Sequence, residues 1–227
     1  MGLPLSQPRS HRVVAIDGPA ASGKSSVARE LAGRLGFIYV NSGAIYRAVT
    51  WYMLHEGINT EDAKGVAQAV ESSIISCRIQ DGECRILLDD VDPTNHLRED
   101  DVNERVSYVS RFPVVREIVA RSLRKNARDH DVVVEGRDIG SVVFPDTPYK
   151  FYIDASPEVR LRRRAAQGER DEITQRDYAD ISRPVSPLVI AKDAYVIDTS
   201  ALTIEEVVHE ILARLTKAGQ LTSDLTT

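Results

Sequence analysis

The sequence predicts an α/β protein with a parallel sheet covered by helices on both faces. Three observations predict it. Apolar runs of strand length recur at Val13–Ile16, Phe37–Val40, Val132–Val134, Tyr149–Ile153 and Tyr195–Ile197. Segments of helical periodicity alternate with them at Ser25–Leu35, Ala44–His55, Val114–Arg128, Pro157–Ala166 and Ile204–Leu215. Strands that run apolar throughout, with helices between them, are the mark of a sheet buried on both sides. The third observation is Gly18-Pro19-Ala20-Ala21-Ser22-Gly23-Lys24-Ser25, a G-x-x-x-x-G-K-S phosphate loop placed between the first strand and the first helix.

Each element carries a local reason. In the phosphate loop the glycines let backbone N–H groups turn toward one anion, and the helix N-terminus adds its dipole. Lys24 supplies a mobile charge to the outer phosphates of a nucleoside triphosphate, Ser25 offers a hydroxyl to Mg²⁺, and Ser26 opens the helix. After the second strand, Ser42 is placed to cap the next helix, with Arg47 one turn inside it. Pro157 suits the first turn of its helix, with Ser156 as N-cap, and Thr203 is placed to cap the last one.

Two stretches interrupt the alternation. Residues 57–111 hold one amphipathic segment, a hairpin turning at Asp81-Gly82 and a turn-rich Asp92-Pro93-Thr94-Asn95 segment, which together predict an insertion with its own small sheet. Residues 167–183 are short, charged and arginine-rich, as a mobile flap would be. The expected organisation is a loose leader at 1–11, a core from 12–56, 112–166 and 184–218, an inserted unit at 57–111, a flap at 167–183 and a frayed tail at 219–227.

The chain has 227 residues, 42% of them hydrophobic and 28% charged, with a net charge of −5. That balance describes an ordinary globular protein and argues against a general nucleic-acid binder, which needs a basic surface. No apolar stretch approaches the roughly 18 residues of a membrane span, and the leader has no apolar core of an export signal, so a cytoplasmic protein is expected. The two cysteines flank the hairpin turn. Its register sets Cys84 opposite Ile79 and Cys77 opposite Ile86, so the pair is diagonal and two free thiols are expected.

Ligands in such a sheet sit beyond the carboxyl ends of the strands. The phosphate loop, the Asn41–Arg47 loop and Glu135-Gly136-Arg137-Asp138 all follow such ends. Arg47 and Arg137 are therefore candidate phosphate clamps, although Arg47 also reads as a solvated helix arginine. On a helix, Arg176, Asp180 and Arg183 share one face, as a binding row or as an intrahelical ion-pair ladder. Arg160 and Arg164 share a face of their own, with Arg163 close by. Asp17, just before the loop, is placed either to hold Mg²⁺ through water or to cap backbone. No strong strand-end acid of the Walker B kind stands out.

Taken together, these residues resemble the bacterial cytidylate kinase family of nucleoside monophosphate kinases. The carriers are Ile16-Asp17-Gly18-Pro19, Ser42-Gly43-Ala44-Ile45-Tyr46-Arg47, Phe112-Pro113-Val114-Val115-Arg116 and Gly136-Arg137-Asp138-Ile139-Gly140. Val142-Val143-Phe144-Pro145-Asp146, Arg176-Asp177 with Asp180 and Arg183, and Ser186-Pro187-Leu188 extend the likeness from about Val13 to Leu215. The resemblance implies a P-loop nucleoside monophosphate kinase fold with a five-stranded parallel sheet, and γ-phosphoryl transfer from Mg²⁺-bound ATP to CMP or dCMP in pyrimidine metabolism. It implies that Arg47, Arg137 and Arg183 hold the CMP phosphate. Ser107, Arg116 and Asp138 would read cytosine, Arg176 and Asp180 would hold the sugar, and Ser42 would line the pocket. It implies that Lys24, Arg160, Arg164 and Arg137 carry the transfer between small-molecule substrates; a monomer is the default expectation. The stretch Gln167–Gln175 is shorter than the family's lid, which leaves open which arginine covers the ATP phosphates; Arg170 is an alternative.

Three other readings fit less well. A related small-molecule kinase on the same core, for another nucleotide or a metabolite, would need a different acceptor pocket, and Gly136-Arg137-Asp138 argues against it. A nucleotide-dependent switch predicts a guanine-reading Asn-Lys-x-Asp sequence, and the chain has none. A nucleic-acid-dependent ATPase conflicts with the acidic balance.

Overall fold

Five parallel strands form most of the sheet, as the apolar runs predict. In the computed structural model, which describes residues 11–166 and 173–217 and only the backbone of 173–176, these are β1 (Val13–Asp17), β2 (Ile38–Asn41), β5 (Val132–Gly136), β6 (Tyr149–Asp154) and β7 (Tyr195–Asp198). An antiparallel hairpin, β3 (Ile75–Gln80) and β4 (Glu83–Leu88), extends the sheet to seven strands in the order β3-β4-β2-β5-β1-β6-β7. The expected separate small sheet is thus corrected: β4 runs parallel to β2 through Tyr39 and Glu83, and the Tyr39 N–H donates to Gly82 O at 2.9 Å. The physical reason is the open edge of β2, whose unpaired backbone groups the hairpin covers.

The helices are α1 (Lys24–Leu35), α2 (Ser42–His55), α3 (Ala63–Ser72), α4 (Asp100–Val109), α5 (Pro113–Asp129), α6 (Pro157–Ala166), α7 (Ile173–Ile181) and α8 (Ile204–Lys217). Alternation along β1 sends Val14 and Ile16 into a core shared with α1 and α8, while Ala15 enters the opposite core beneath α2, α3 and α5. Ile16, Leu31, Ile45, Met53 and Ile211 are fully buried, and each such side chain stabilises the fold by about 1.5–3 kcal/mol. Ser156 and Thr203 cap α6 and α8 as expected, with Val159 N–H donating to Ser156 Oγ at 3.4 Å and Glu206 N–H to Thr203 Oγ1 at 3.2 Å. The cap of α2 is corrected by one residue: Asn41 Oδ1 accepts from Ala44 N–H at 3.0 Å, and Ser42 opens the helix.

The hairpin keeps the predicted register, with Cys77 opposite Ile86 and Ile79 opposite Cys84. The expectation of free thiols is corrected, because Cys77 and Cys84 form a disulfide with Cα atoms 5.5 Å apart. The strong right-handed twist of a two-stranded ribbon brings one diagonal pair on a face within bridging distance. No helix among the described residues is long and apolar enough to cross a membrane.

Candidate functional site

Strand order reverses on either side of β1, so the loop that follows it lies at the switch point where open α/β sheets bind ligands. The loop can lie there because Gly18 runs against β6: a Cβ on it would stand 2.0 Å from Ile153 O. Lys24 then begins α1 and folds back over the loop, its Nζ donating to Pro19 O at 2.8 Å. It is 7% exposed, and burial, followed by the charge of Arg137, lowers its pKa to about 7.

Arg163 braces the loop from behind. Its guanidinium donates to Ser22 O at 3.1 Å, to Thr199 Oγ1 at 3.0 Å and to Thr199 O at 2.8 Å, while the Thr199 hydroxyl donates to Ser22 O at 2.9 Å. Arg160 approaches from the same helix, donating to Ala155 O at 3.2 Å, to Ala20 O at 3.3 Å and to the Asp177 carboxylate. Asp177 in turn accepts from Ala20 N–H at 3.4 Å. The α7 helix therefore rests a carboxylate on the phosphate loop. Arg164 is buried. Arg170 and residues 167–172 of the expected lid lie outside the described residues, as do the side chain of Arg176 and residues 1–10 and 218–227.

Asp17 takes the second of its two expected roles. Its Oδ1 and Oδ2 accept from Ile139 N–H at 2.8 Å and Gly140 N–H at 2.7 Å, at the start of a π-helical turn, Ile139–Val143. Burial raises its pKa to about 6 against the pull of those amides. Each oxygen thus accepts from one backbone N–H and keeps a further lone pair.

The strand-end acid that sequence reasoning missed is Glu135. It is 2% exposed at the end of β5, and its Oε2 accepts from Ser25 Oγ at 2.9 Å while its Oε1 accepts from Tyr39 OH at 2.6 Å. The available signal was three valines followed by an acid beside the phosphate-loop strand. The Ser25 hydroxyl and Glu135 carboxylate are hard oxygen donors and fit Mg²⁺, which is commonly held by one or two carboxylates plus nucleotide phosphates and water. Among the described residues no group of three or more His, Cys, Asp or Glu gathers as a metal cage.

A second charged cluster begins two residues further on, at Arg137. Arg137 Nε donates to Asp180 Oδ2 at 2.7 Å, and Arg183 Nη2 lies 3.4 Å from Asp180 Oδ1. Burial alone would raise the Asp180 carboxyl, but Arg137 and Arg183 hold it below the usual carboxylate range. Arg183 is lowered by burial. Next to them, Arg116 Nη2 donates to Asp138 Oδ2 at 2.6 Å in a pair about 95% buried, beneath the Tyr46 ring at 5.3 Å. Tyr46, not singled out in the sequence, feels the charges of Arg116, Asp138 and Arg183, and its hydroxyl is pushed up chiefly by burial. Gly136 allows the turn: a Cβ there would stand 2.5 Å from Ser42 Oγ and 2.7 Å from Ile139 Cδ1.

Lys24, Arg137, Asp180, Arg183, Asp138 and Arg116 are thus linked in one run of charges. Arg47 is engaged by the inserted segment, donating to Leu97 O at 3.3 Å and to Asn103 Oδ1. Ser107 sits half-buried on α4, where its carbonyl accepts from Ser110 Oγ at 3.3 Å.

A family model described as cytidylate kinase matches residues 14–217. A cytidylate kinase from Caldanaerobacter subterraneus subsp. tengcongensis is 43% identical over 215 residues, covering 90% of this chain and 94% of its own length. One from Pelotomaculum thermopropionicum is 42% identical over 214 residues, covering 89% and 95%. One from Corynebacterium diphtheriae is 38% identical over 228 residues, covering 95% and 99%.

Proposed function

Since the chain belongs to the cytidylate kinase family, we propose that it transfers the γ-phosphoryl group of ATP to CMP or dCMP across the gap between Lys24 and Arg137. The observation that carries this reading is the run of charges from Lys24 through Arg137 and Asp180 to the buried Arg116–Asp138 pair.

The acceptor assignment follows from base chemistry. Cytosine presents an amino donor at N4 and acceptors at N3 and O2. Asp138 suits the donor, and Arg116 and Ser107 suit the acceptors. Uracil would set O4 against the Asp138 carboxylate, leaving two buried acceptors opposed at a cost of roughly 1–3 kcal/mol or more. Arg137, Arg183 and Arg47 are assigned to the acceptor phosphate, whose dianion suits forked guanidinium groups. Asp180 and Arg176 are assigned to the sugar, and Ser42 to the pocket wall.

Gly18–Ser26 is assigned to the ATP phosphates. Phosphoryl transfer requires alignment, exclusion of water and neutralisation of charge in flight. Lys24, Arg160, Arg164 and Arg137 supply the cations. Ser25 and Glu135 would hold Mg²⁺, which supplies charge neutralisation at the phosphate oxygens. Asp177 must leave Ala20 N–H before a phosphate takes that amide. The reading describes a monomer acting on cytoplasmic nucleotides, with residues 57–111 and 167–183 closing over the two substrates.

The test is ADP release in a coupled assay with CMP, dCMP, UMP and AMP, for the wild type and Asp138→Asn. The wild type is expected to prefer CMP and dCMP. The variant is expected to lose at least tenfold in kcat/KM for CMP and to narrow the CMP-to-UMP ratio, because an amide also presents a donor to O4. Turnover with UMP or AMP far above that with CMP would overturn the acceptor assignment.

A further inference from the structure

Glu135 is held on its far side by a tyrosine with no other evident task at the site. Tyr39 is 3% exposed on β2, and its hydroxyl donates to Glu135 Oε1 at 2.6 Å. The same hydroxyl accepts from Asn41 Nδ2 at 3.2 Å. With Asn41 supplying a donor, the tyrosine proton is directed to the carboxylate. Glu135 then accepts at both oxygens, and Oε2 is the one left toward Ser25 Oγ at 2.9 Å.

The ring itself is fixed. Arg29 lies over it, 4.8 Å from the centroid, and is tied by its Nε to Glu83 Oε1 at 2.5 Å on the hairpin. Asn41 also caps α2 through Oδ1, and α2 carries Ser42 and Arg47. The hydroxyl therefore stands between the start of the acceptor-side helix and the carboxylate on the donor side.

We propose that Tyr39 is a positioning residue that sets the orientation of Glu135, so that one carboxylate oxygen is presented beside Ser25 to the divalent cation of the nucleotide. The proposal rests on the reading of Glu135 as a metal ligand. Carboxylate ligands held by hydrogen bonds from a second residue commonly lose 10–100-fold in metal affinity when that residue is removed.

The test measures Mn²⁺ binding to the full chain with ADP present, by electron paramagnetic resonance, beside ADP binding in EDTA by calorimetry. Tyr39→Phe keeps the ring beneath Arg29 and removes only the hydroxyl. It is expected to weaken Mn²⁺ about tenfold while leaving metal-free ADP affinity within about twofold. A structural defect of the phosphate loop would weaken both. Asn41→Ser keeps N-cap chemistry and removes the donor to Tyr39. It is expected to weaken Mn²⁺ in the same selective way and provides the reading if Tyr39→Phe does not fold.

In the Glu135→Gln background, Tyr39→Phe is expected to add no further loss, as befits a residue acting through Glu135. If Glu135→Gln weakens Mn²⁺ but Tyr39→Phe does not, the positioning role fails alone. If Glu135→Gln leaves Mn²⁺ binding intact, the metal assignment fails and the positioning role with it.

Discussion

Binding of MgATP should take up a proton, and Lys24 sets the amount. In the free enzyme its pKa is lowered to about 7 by burial and by Arg137. A bound polyphosphate draws that pKa back up, so the complex carries the full lysine proton. Uptake then equals the fraction of free enzyme whose lysine is neutral. With a free pKa near 7 that fraction is about 0.5 at pH 7 and about 0.9 at pH 8. The sign fixes the affinity trend: the proton is bound more tightly in the complex, so ATP affinity falls as pH rises above 7, approaching about tenfold per unit.

Calorimetry of MgATP binding at pH 8, in buffers of differing ionisation enthalpy, counts the protons directly. Asp17, titrating at about 6, is already ionised in the free enzyme at that pH. Lys24→Arg supplies the control, because a guanidinium stays charged at every pH used; its uptake should be near zero. Uptake below about 0.2 in the wild type at pH 8 would mean an ordinary ammonium group, and the burial argument would be wrong.

Two further outcomes follow from contacts at the site. Asp177 occupies Ala20 N–H and Arg160, groups that the proposed function assigns to the ATP phosphates. Asp177→Asn removes the competing charge and should tighten ATP binding without CMP by about threefold or more, since bonds to ionised groups are roughly twice as strong as neutral ones. The same change should lower kcat, because Arg160 loses its carboxylate; weaker ATP binding by calorimetry would refute the competition. Gly136→Ala drives a methyl group toward Ser42 Oγ and Ile139. It should cost about 2 kcal/mol, lowering Tm by about 4–8 °C and raising KM for CMP more than for ATP; a thermal scan within about 1 °C of wild type would show that the turn has room.

The innermost strands were legible because burial on both faces makes β1 and β5 nearly continuous apolar runs, and Val132-Val133-Val134 needs no partner to be recognised. The hairpin register was legible for a local reason as well: Asp81 and Gly82 both take positive φ, at 52° and 75°, as a tight hairpin turn requires. What the hairpin does next was not legible. Its attachment to β2 is set by one pairing, Tyr39 with Glu83, and no periodicity encodes which open edge a hairpin will cover. The disulfide escaped for a related reason. Counting residues around the turn places Cys77 and Cys84 correctly as diagonal neighbours, but only the twist of the ribbon decides how close that diagonal comes.

The site shows the same limit most sharply in two acids. Asp17 and Glu135 both end apolar strands, and those strands are neighbours, with Ile16 paired to Glu135 and Asp17 to Gly136. Nothing local separates them. Their partners do: Asp17 meets two backbone N–H groups from a turn 122 and 123 residues away, whereas Glu135 meets two hydroxyls. An amide can only donate, so these two bonds tie the turn to the strand end. A hydroxyl can rotate, and the Ser25 oxygen has lone pairs to offer once its proton turns away. The hydrogen bond between Ser25 and Glu135 can therefore open into a two-oxygen seat for Mg²⁺ without leaving a donor stranded. On the proposed reading, that freedom, and not the position of an acid at a strand end, is what suits Glu135 to a metal ion.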